Sequence, residues 1–522
     1  MQQAVVAPEK KVKKILLVGI YDTNTVSLAP QILKAYAEQF DVSQGFEIAT
    51  KEFSIFNDSI ESIVEGINKE NPDIVGFSAY IWNINEISEI IKKIDALVML
   101  GGPQVTGIEK ELMEQNPDID IIVTGEGEMV FKELLEYFSG QKKIEDIKGV
   151  TTKSISNPPS HEFVDLDTIP LIYEDIFRKN PDITWISFET SRGCPMGCKY
   201  CTWGYSRTMR YFSLEKVKKE LDAILKQDKI QNIYLCDSNL LLDRARAKKI
   251  FQYIIDSGAK KTIRYEFKAE QFDDEIIELL SQLPNNEFNF GIQSTNKQAL
   301  KEIGRVFNKE IFEEKYKKII ERFQDSPITV DLIYGLPGDN IEGYKESLDY
   351  AASLDKLKRV LTNPLIILPG SEFYRLMDKY GVKLRDKKSY MVKENATFSE
   401  KDMELARKYS FFVAVVFLNY HLRDCLKLLA KDRNIRYIDA IINFMESLPV
   451  EFAGESYPDM IPSVKEDFKQ RNAIFKKVIN KYDDIINNFK EFSLHKYDDM
   501  MAGYEDNYSE QFSKLKRFAE SD

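Results

Sequence analysis

Three cysteines within eight residues carry the most specific chemistry in this chain. Cys194, Cys198 and Cys201 lie in the segment ETSRGCPMGCKYCTWG, with spacing C-x3-C-x2-C, directly after a strand-like run. Soft thiolates at this spacing select zinc or an iron–sulfur centre. A structural zinc site takes four protein ligands, and no fourth Cys or His is close in sequence. His161 lies well upstream, and Cys236 sits in an apolar run that reads as a buried strand. Three thiolates on a 4Fe-4S cube leave one iron without a protein ligand, open to chelate a substrate. A zinc knuckle is the competing reading. The total of five cysteines is odd and too few for a disulfide framework, so the site points to a reducing compartment.

Such a loop needs a rigid scaffold, and the flanking sequence supplies strand–helix alternation on both sides. In the amino-terminal part the strand-like runs are Lys14–Gly19, Phe46–Phe53, Asp73–Ser78, Ala96–Gly101 and Asp120–Gly125. Helical patterns with three- and four-residue apolar spacing separate them. Five such units predict a doubly wound parallel sheet with ligands beyond the carboxyl ends of the strands. A second series comprises Thr184–Glu189, Asn232–Asp237, Arg264–Ala269, Glu287–Ser294, Ile328–Gly335 and Arg359–Ile367. Six consecutive units predict a partial (β/α)6 barrel with its site at the same ends. From Ser399 the pattern turns helical, opened by the capping-box pair Ser399 and Asp402. The expected fold class is therefore α/β, with an α-helical carboxy-terminal domain. The expected boundaries are 1–150, a linker over 151–182, the barrel over 183–385, and helices over 386–522.

The cysteine loop resembles that of the radical S-adenosylmethionine superfamily, whose signature is this spacing with an aromatic before the third cysteine. Tyr200 fills that place. The resemblance implies that the open iron binds the amino and carboxylate groups of S-adenosylmethionine. It further implies contacts with that molecule from Tyr200, from Asp237 and Asn239 in LCDSN, and from Gln293 and Ser294 in FGIQSTN. Gly335, Pro337 and Gly338 in DLIYGLPGDN would shape the turn near the adenosine. Lys268 and Glu270 are further candidates, with ordinary strand-end polarity as the alternative.

The motifs GGPQVTG and TGEGE, placed ahead of such a loop, are similar to those of the cobalamin-binding subgroup of that superfamily. The resemblance makes residues 1–150 a cobalamin-binding Rossmann-like domain. It implies cofactor contacts from Asn24, Ser27, Ser78, Gly101, Gly102, Gly125 and Glu126, with Tyr80 and Trp82 near the corrin. Core packing is the alternative for the two aromatics. Many cobalamin domains carry D-x-H-x-x-G after the first strand, but here the run is Asp22-Thr23-Asn24-Thr25-Val26-Ser27. The three histidines are His161, His421 and His495, so no imidazole of this domain could ligate cobalt from below.

The implied activity is methyl transfer to an unactivated carbon, by way of methylcobalamin and a 5′-deoxyadenosyl radical. Radical rearrangement or carbon–carbon bond formation without methyl transfer is the alternative within enzymes. A non-catalytic cobalamin or iron–sulfur carrier is the alternative outside them. A small-molecule or peptide substrate and a flavodoxin or ferredoxin electron donor complete the expected partners. A net charge of −12 gives no bulk attraction to a phosphate backbone, so nucleic acid is not expected. The start MQQAVVAPEKKVKK lacks the apolar core of a secretory signal. The longest apolar run, Phe411–Leu418, reads as a buried helix segment, too short to cross a bilayer. A cytoplasmic protein with no membrane partner is the expectation. Cys425, His421 and Arg423 read as packing or surface residues.

Overall fold

The computed structural model describes residues 14–21, 24–160, 162–203, 206–417 and 420–447. These fall into two compact units. One runs through Phe267 and adds Gln271–Glu287 and Ile367–Leu376; the other takes Lys268–Glu270, Phe288–Ile366 and Met377 onward.

The first unit opens with a six-stranded sheet of β1 (Lys14–Tyr21), β2 (Glu47–Ser54), β3 (Ile74–Ser78), β4 (Leu97–Gly101), β5 (Ile121–Val123) and β6 (Val150–Thr151). Its order is β2-β1-β3-β4-β5-β6, with β6 antiparallel to β5 and the other pairs parallel. Strands covered on both faces need continuous apolar runs, and Ile15, Leu16, Leu17, Val18 and Ile20 are all buried. The order reverses direction between β1 and β3. That switch point leaves a crevice at the carboxyl ends of these two strands, where ligands of such sheets bind. Within the expected linker, the described residues carry a helix over Tyr173–Lys179.

The second series forms a sheet of β7 (Trp185–Phe188), β10 (Asn232–Leu235), β11 (Thr262–Phe267), β12 (Asn285–Gln293), β13 (Ile328–Tyr334) and β14 (Arg359–Pro364). Two short strands, β8 (Ser191–Arg192) and β9 (Arg210–Tyr211), pair antiparallel outside it. Neighbours in the larger sheet follow chain order, and the pairs β7·β10, β10·β11, β12·β13 and β13·β14 are parallel. Among the described residues, β7 and β14 stand at the two ends of this strand order. Side chains alternate with period two. In β12, Phe288, Phe290 and Ile292 are buried, while Asn289 and Gln293 on the other face are partly open.

Strand-to-helix switches are marked by side-chain caps that satisfy first-turn N–H groups. Ser213 accepts from Lys216 N at 3.2 Å, Asp273 from Ile276 N at 2.8 Å and Asn340 from Gly343 N at 3.0 Å. The helix Glu400–Phe417 opens with the expected capping box, Asp402 N donating to Ser399 Oγ and Ser399 N to Asp402 Oδ2, both at 3.2 Å. Phe411, Phe412, Val413, Val415 and Val416 are buried, as the apolar run implied. Two more helices follow, Tyr420–Arg433 and Tyr437–Ser447. No described helix is long and apolar enough to cross a membrane. Leu418, His161, His495 and everything beyond residue 447 lie outside the described residues, as do the side chains of His421 and Cys425.

Candidate functional site

The cysteine loop leaves the end of β7 and is closed at its base by the β8–β9 pair, Arg192 opposite Arg210. Gly193 sits at φ +95°, where a side chain would run into the Thr208 carbonyl, so only glycine makes this turn. Cys194 N donates to Ser206 O at 2.9 Å, and Cys201 N to Cys198 O at 3.1 Å. Ser238, just past β10, donates its hydroxyl to Gly193 O at 2.7 Å. On the outer flank, Phe373 N donates to Lys199 O at 3.0 Å. Cys194, Cys198 and Cys201 are all half-buried and none is in a disulfide. Tyr200 is half-buried between them. Among the described residues no three His, Cys, Asp or Glu side chains converge on one ion-sized point. A cube ligated by one thiolate per iron does not require that, so the three-thiol donor set fits a 4Fe-4S cluster.

Asp237 is 1% exposed and accepts from Thr190 Oγ1 at 2.9 Å, from Thr190 N at 3.3 Å and from the Ser191 hydroxyl. Burial pushes its carboxyl up, and these donors pull it partly back. Arg246 Nη2 donates to Thr190 O at 3.1 Å. Asn239 accepts from Leu241 N at 3.1 Å and donates to Gln271 Oε1 at 2.7 Å. Asp237 thus braces the segment leading into the loop, while Asn239 links the end of β10 to the turn after β11. Cys236 lies one residue past β10, half-buried, and burial raises its thiol well above the ordinary value.

The remaining S-adenosylmethionine candidates lie in the second unit. Gln293 ends β12 at φ +71°, next to a register shift against β13. Ser294 Oγ donates to Asp339 Oδ2 at 3.2 Å, and Asn296 Nδ2 to Asp339 Oδ1 at 2.9 Å. Burial raises Asp339 to about 6 against these hydrogen bonds. This knot draws the ends of β12 and β13 together, and sequence reasoning did not single out Asp339. Gly335, at φ +80°, accepts from Asn395 Nδ2 at 2.8 Å, and Pro337 follows in the same turn. Gly338 N donates to Thr397 Oγ1 at 2.8 Å. Lys268 lies within reach of Val306 O at 3.5 Å, and Glu270 is partly buried in the turn after β11.

Of the cobalamin candidates, Asn24, Ser27, Ser78, Tyr80 and Trp82 end or follow β1 and β3 at the switch point, while Gly101, Gly102, Gly125 and Glu126 end or follow β4 and β5. Asn83, buried and unforeseen, ties the crevice together. Its Nδ2 donates to Ile20 O at 3.1 Å and Ser78 O at 3.0 Å, and its Oδ1 accepts from Tyr80 N at 2.7 Å. Tyr80 and Trp82 stack with centroids 4.4 Å apart and planes 7° apart. Tyr21 is tilted against Trp82, with centroids 5.8 Å and planes 38° apart, and edge-on to Trp185 at 5.7 Å. Gly102 is at φ +110°, and a Cβ there would lie 2.6 Å from Ala79 O. Gly101 O accepts from Ala79 N at 2.7 Å. Gly125 turns at φ +87°. Asn24 O accepts from Thr184 N and Trp185 N at 3.0 and 3.2 Å, and Ser27 N donates to Glu52 at 3.1 Å. Burial raises Glu52 to about 7. Glu126 is engaged by Arg192 and Arg210. Asp22 and Thr23 lie outside the described residues.

Three polar atoms at this end of the sheet are buried without a hydrogen-bond partner: Thr25 Oγ1, Trp82 Nε1 and Gln104 Nε2. Native folds rarely leave such groups unmet. A stacked aromatic pair, a glycine cradle and unmet polar atoms together fit a large planar ligand fringed with amides.

Residues 188–351 match the Radical SAM superfamily, and residues 20–135 match the B12 binding domain. The chain is 24% identical over 496 residues to the cobalamin-dependent radical SAM methyltransferase TokK of Streptomyces tokunonensis, covering 86% of this chain and 71% of that one. Its fold superposes on the cobalamin-dependent S-adenosylmethionine radical enzyme OxsB with a TM-score of 0.62, at 15% identity over 92% of this chain and 83% of that one. It also superposes on the radical S-adenosylmethionine methyltransferase TsrM of Kitasatospora setae with a TM-score of 0.59, at 16% identity over 76% and 88%. With both domain matches falling on the two sites built above, the chain belongs to the cobalamin-binding radical S-adenosylmethionine enzymes.

Proposed function

We propose that this chain methylates an unactivated carbon of a small molecule, drawing on S-adenosylmethionine. The observation that carries this reading is the presence, in one compact unit, of a three-thiol loop and an aromatic crevice with unmet buried donors. When bound, the cluster supplies the electron that cleaves S-adenosylmethionine to a carbon radical, and cobalamin carries the methyl group. The side chains do the holding. Cys194, Cys198 and Cys201 would each take one iron. Trp82 Nε1, Gln104 Nε2 and Thr25 Oγ1 would offer hydrogen bonds to the corrin's amides, and the stacked Tyr80 and Trp82 would offer it an apolar wall. Gly102 lets backbone approach closely. Gln293 holds a backbone conformation that costs a non-glycine residue about 1–2 kcal/mol, and it would use that turn to present its amide to the ribose.

Residues 1–150 would form the cobalamin domain, 183–385 the barrel, and 386–522 the part that selects the substrate. The electron would come from a flavodoxin or ferredoxin. The test is to reconstitute the full chain anaerobically and add trideuteromethyl S-adenosylmethionine with a reductant. Deuterated methyl on cobalamin together with 5′-deoxyadenosine supports methyl transfer. Release of 5′-deoxyadenosine without methyl uptake turns the reading toward rearrangement or bond formation. Neither product contradicts enzymatic function altogether.

A further inference from the structure

The turn after β5 and the cysteine loop after β7 meet on a single guanidinium. Arg192, which enters the Gly193 turn, has a side chain 13% exposed. Its Nη1 lies 2.7 Å from Glu128 and 3.3 Å from Glu126, and its Nε donates to Glu189 at 3.0 Å. The Glu128 side chain is 5% exposed. Arg210, opposite Arg192 in the β8–β9 pair, takes the other oxygen of Glu126. It also donates to Val164 O at 3.3 Å and lies 4.3 Å over the Phe163 ring. Two arginines from the base of the cysteine loop thus grip two carboxylates of the first sheet and one at the end of β7.

Buried ion groups of this kind add little stability over apolar packing of the same volume. What they add is fixed geometry. A planar guanidinium with five donors in a fixed fork can span three carboxylates from two separate segments, which a lysine ammonium does not reproduce. The cluster ligand Cys194 follows Arg192 by two residues, and Gly125 and Glu126 are cobalamin candidates.

We propose that Arg192 is a positioning residue that ties the Gly125–Glu128 turn of the cobalamin domain to the cysteine loop and thereby sets where the cluster sits relative to the corrin. This rests on the cofactor reading above. Its consequence is that the two cofactor sites move as one body through this clamp.

The test compares Arg192→Lys with Glu220→Gln in the full chain. Glu220 is a buried acid of the same unit that accepts from Ile172 N at 2.8 Å and Tyr173 N at 3.4 Å and makes no ion pair with either clamp arginine. In the cofactor-free chain, hydrogen exchange of backbone amides in R192K should rise together at 124–128 and 190–194, by about tenfold or more. E220Q should raise exchange near 172–173 and leave both clamp segments unchanged. In the reconstituted chain, the magnetic coupling between reduced cluster and cob(II)alamin should change in R192K and stay as in the parent in E220Q. Unchanged exchange at 124–128 in R192K, or a coupling change in E220Q equal to that in R192K, overturns the clamp. Should the parent chain retain no cobalamin, the functional reading fails, while the exchange experiment still decides the clamp.

Discussion

The cysteine loop and the crevice at the β1–β3 switch point belong to one compact unit but use their short polar side chains differently, although Arg210 Nε and Arg246 Nε beside the loop are also buried without partners. Under the loop, Thr190, Ser191, Asp237 and Ser238 spend their hydrogen bonds on each other and on the loop backbone. In the crevice, Thr25, Trp82 and Gln104 keep buried polar atoms without partners. The contrast has a chemical reason. A cluster is held by bonds to its thiolates, so the fold has only to pin the loop in place. A corrin is held by area and by many weak contacts, so the fold has to leave those contacts open until the ligand arrives.

The sharpest way to separate the two regions is to remove the thiolates. In the Cys194→Ala, Cys198→Ala, Cys201→Ala triple variant the iron–sulfur absorbance and all cleavage of S-adenosylmethionine should vanish. Cobalamin retention after desalting should persist. Loss of both would mean that the crevice depends on the loop.

Breaking the crevice from below should cost stability as well as binding. Asn83→Ala strands the Ile20 and Ser78 carbonyls and the Tyr80 N–H, so urea unfolding of the first unit should weaken by about 2–4 kcal/mol. Cluster content should be little changed.

The acid beneath the crevice gives a pH signature. Glu52 titrates near 7 in the fold against 4.5 in the open chain, because burial disfavours its charge. The folded state then holds the proton over a window where the unfolded state has lost it, so stability falls as pH rises from about 4.5 through about 7. That fall should be on the order of 2–3 kcal/mol, and Glu52→Gln should flatten its share in urea titrations at several pH values. Glu189 and Glu220, also raised to about 7 by burial, slope the same way and should survive the substitution.

The smallest effect should be the most selective. Trp82→Phe removes an indole N–H that no protein group accepts, so the cofactor-free chain should stay within about 1 kcal/mol of the parent. Cobalamin affinity, measured by equilibrium dialysis, should fall about tenfold, the worth of one hydrogen bond near 1.4 kcal/mol. A large stability loss with unchanged affinity would make Trp82 a packing residue.

The residues readable in advance were those whose own type and spacing carry the signal. The thiol spacing located the loop, and long apolar runs located both sheets, with strand ends within a few residues of their observed bounds. Two-residue strands have no period to read, so β6, β8 and β9 were invisible. So were the knots made by one polar side chain with distant backbone: Asn83 across Ile20 and Ser78, Asp339 between Ser294 and Asn296, and Arg192 among three carboxylates. Each knot joins near neighbours, such as Tyr80 to Asn83 or Glu189 to Arg192, to a partner more than forty residues away in Ile20, Asp339 or Glu126, and only the fold brings the distant partner in. Asp237 and Asn239 were legible as polar strand-end residues, but the hydrogen bonds of Asp237 to Thr190 and Ser191 and of Asn239 to Gln271 were not.

The most direct measurement is an absorbance spectrum of the chain, reconstituted anaerobically with iron, sulfide and hydroxocobalamin and then desalted. Both the corrin bands and the iron–sulfur shoulder should remain in the parent, with the shoulder alone lost from the triple-cysteine variant. An intact cluster without corrin bands would contradict the crevice as a cobalamin site and leave a radical enzyme of a different kind.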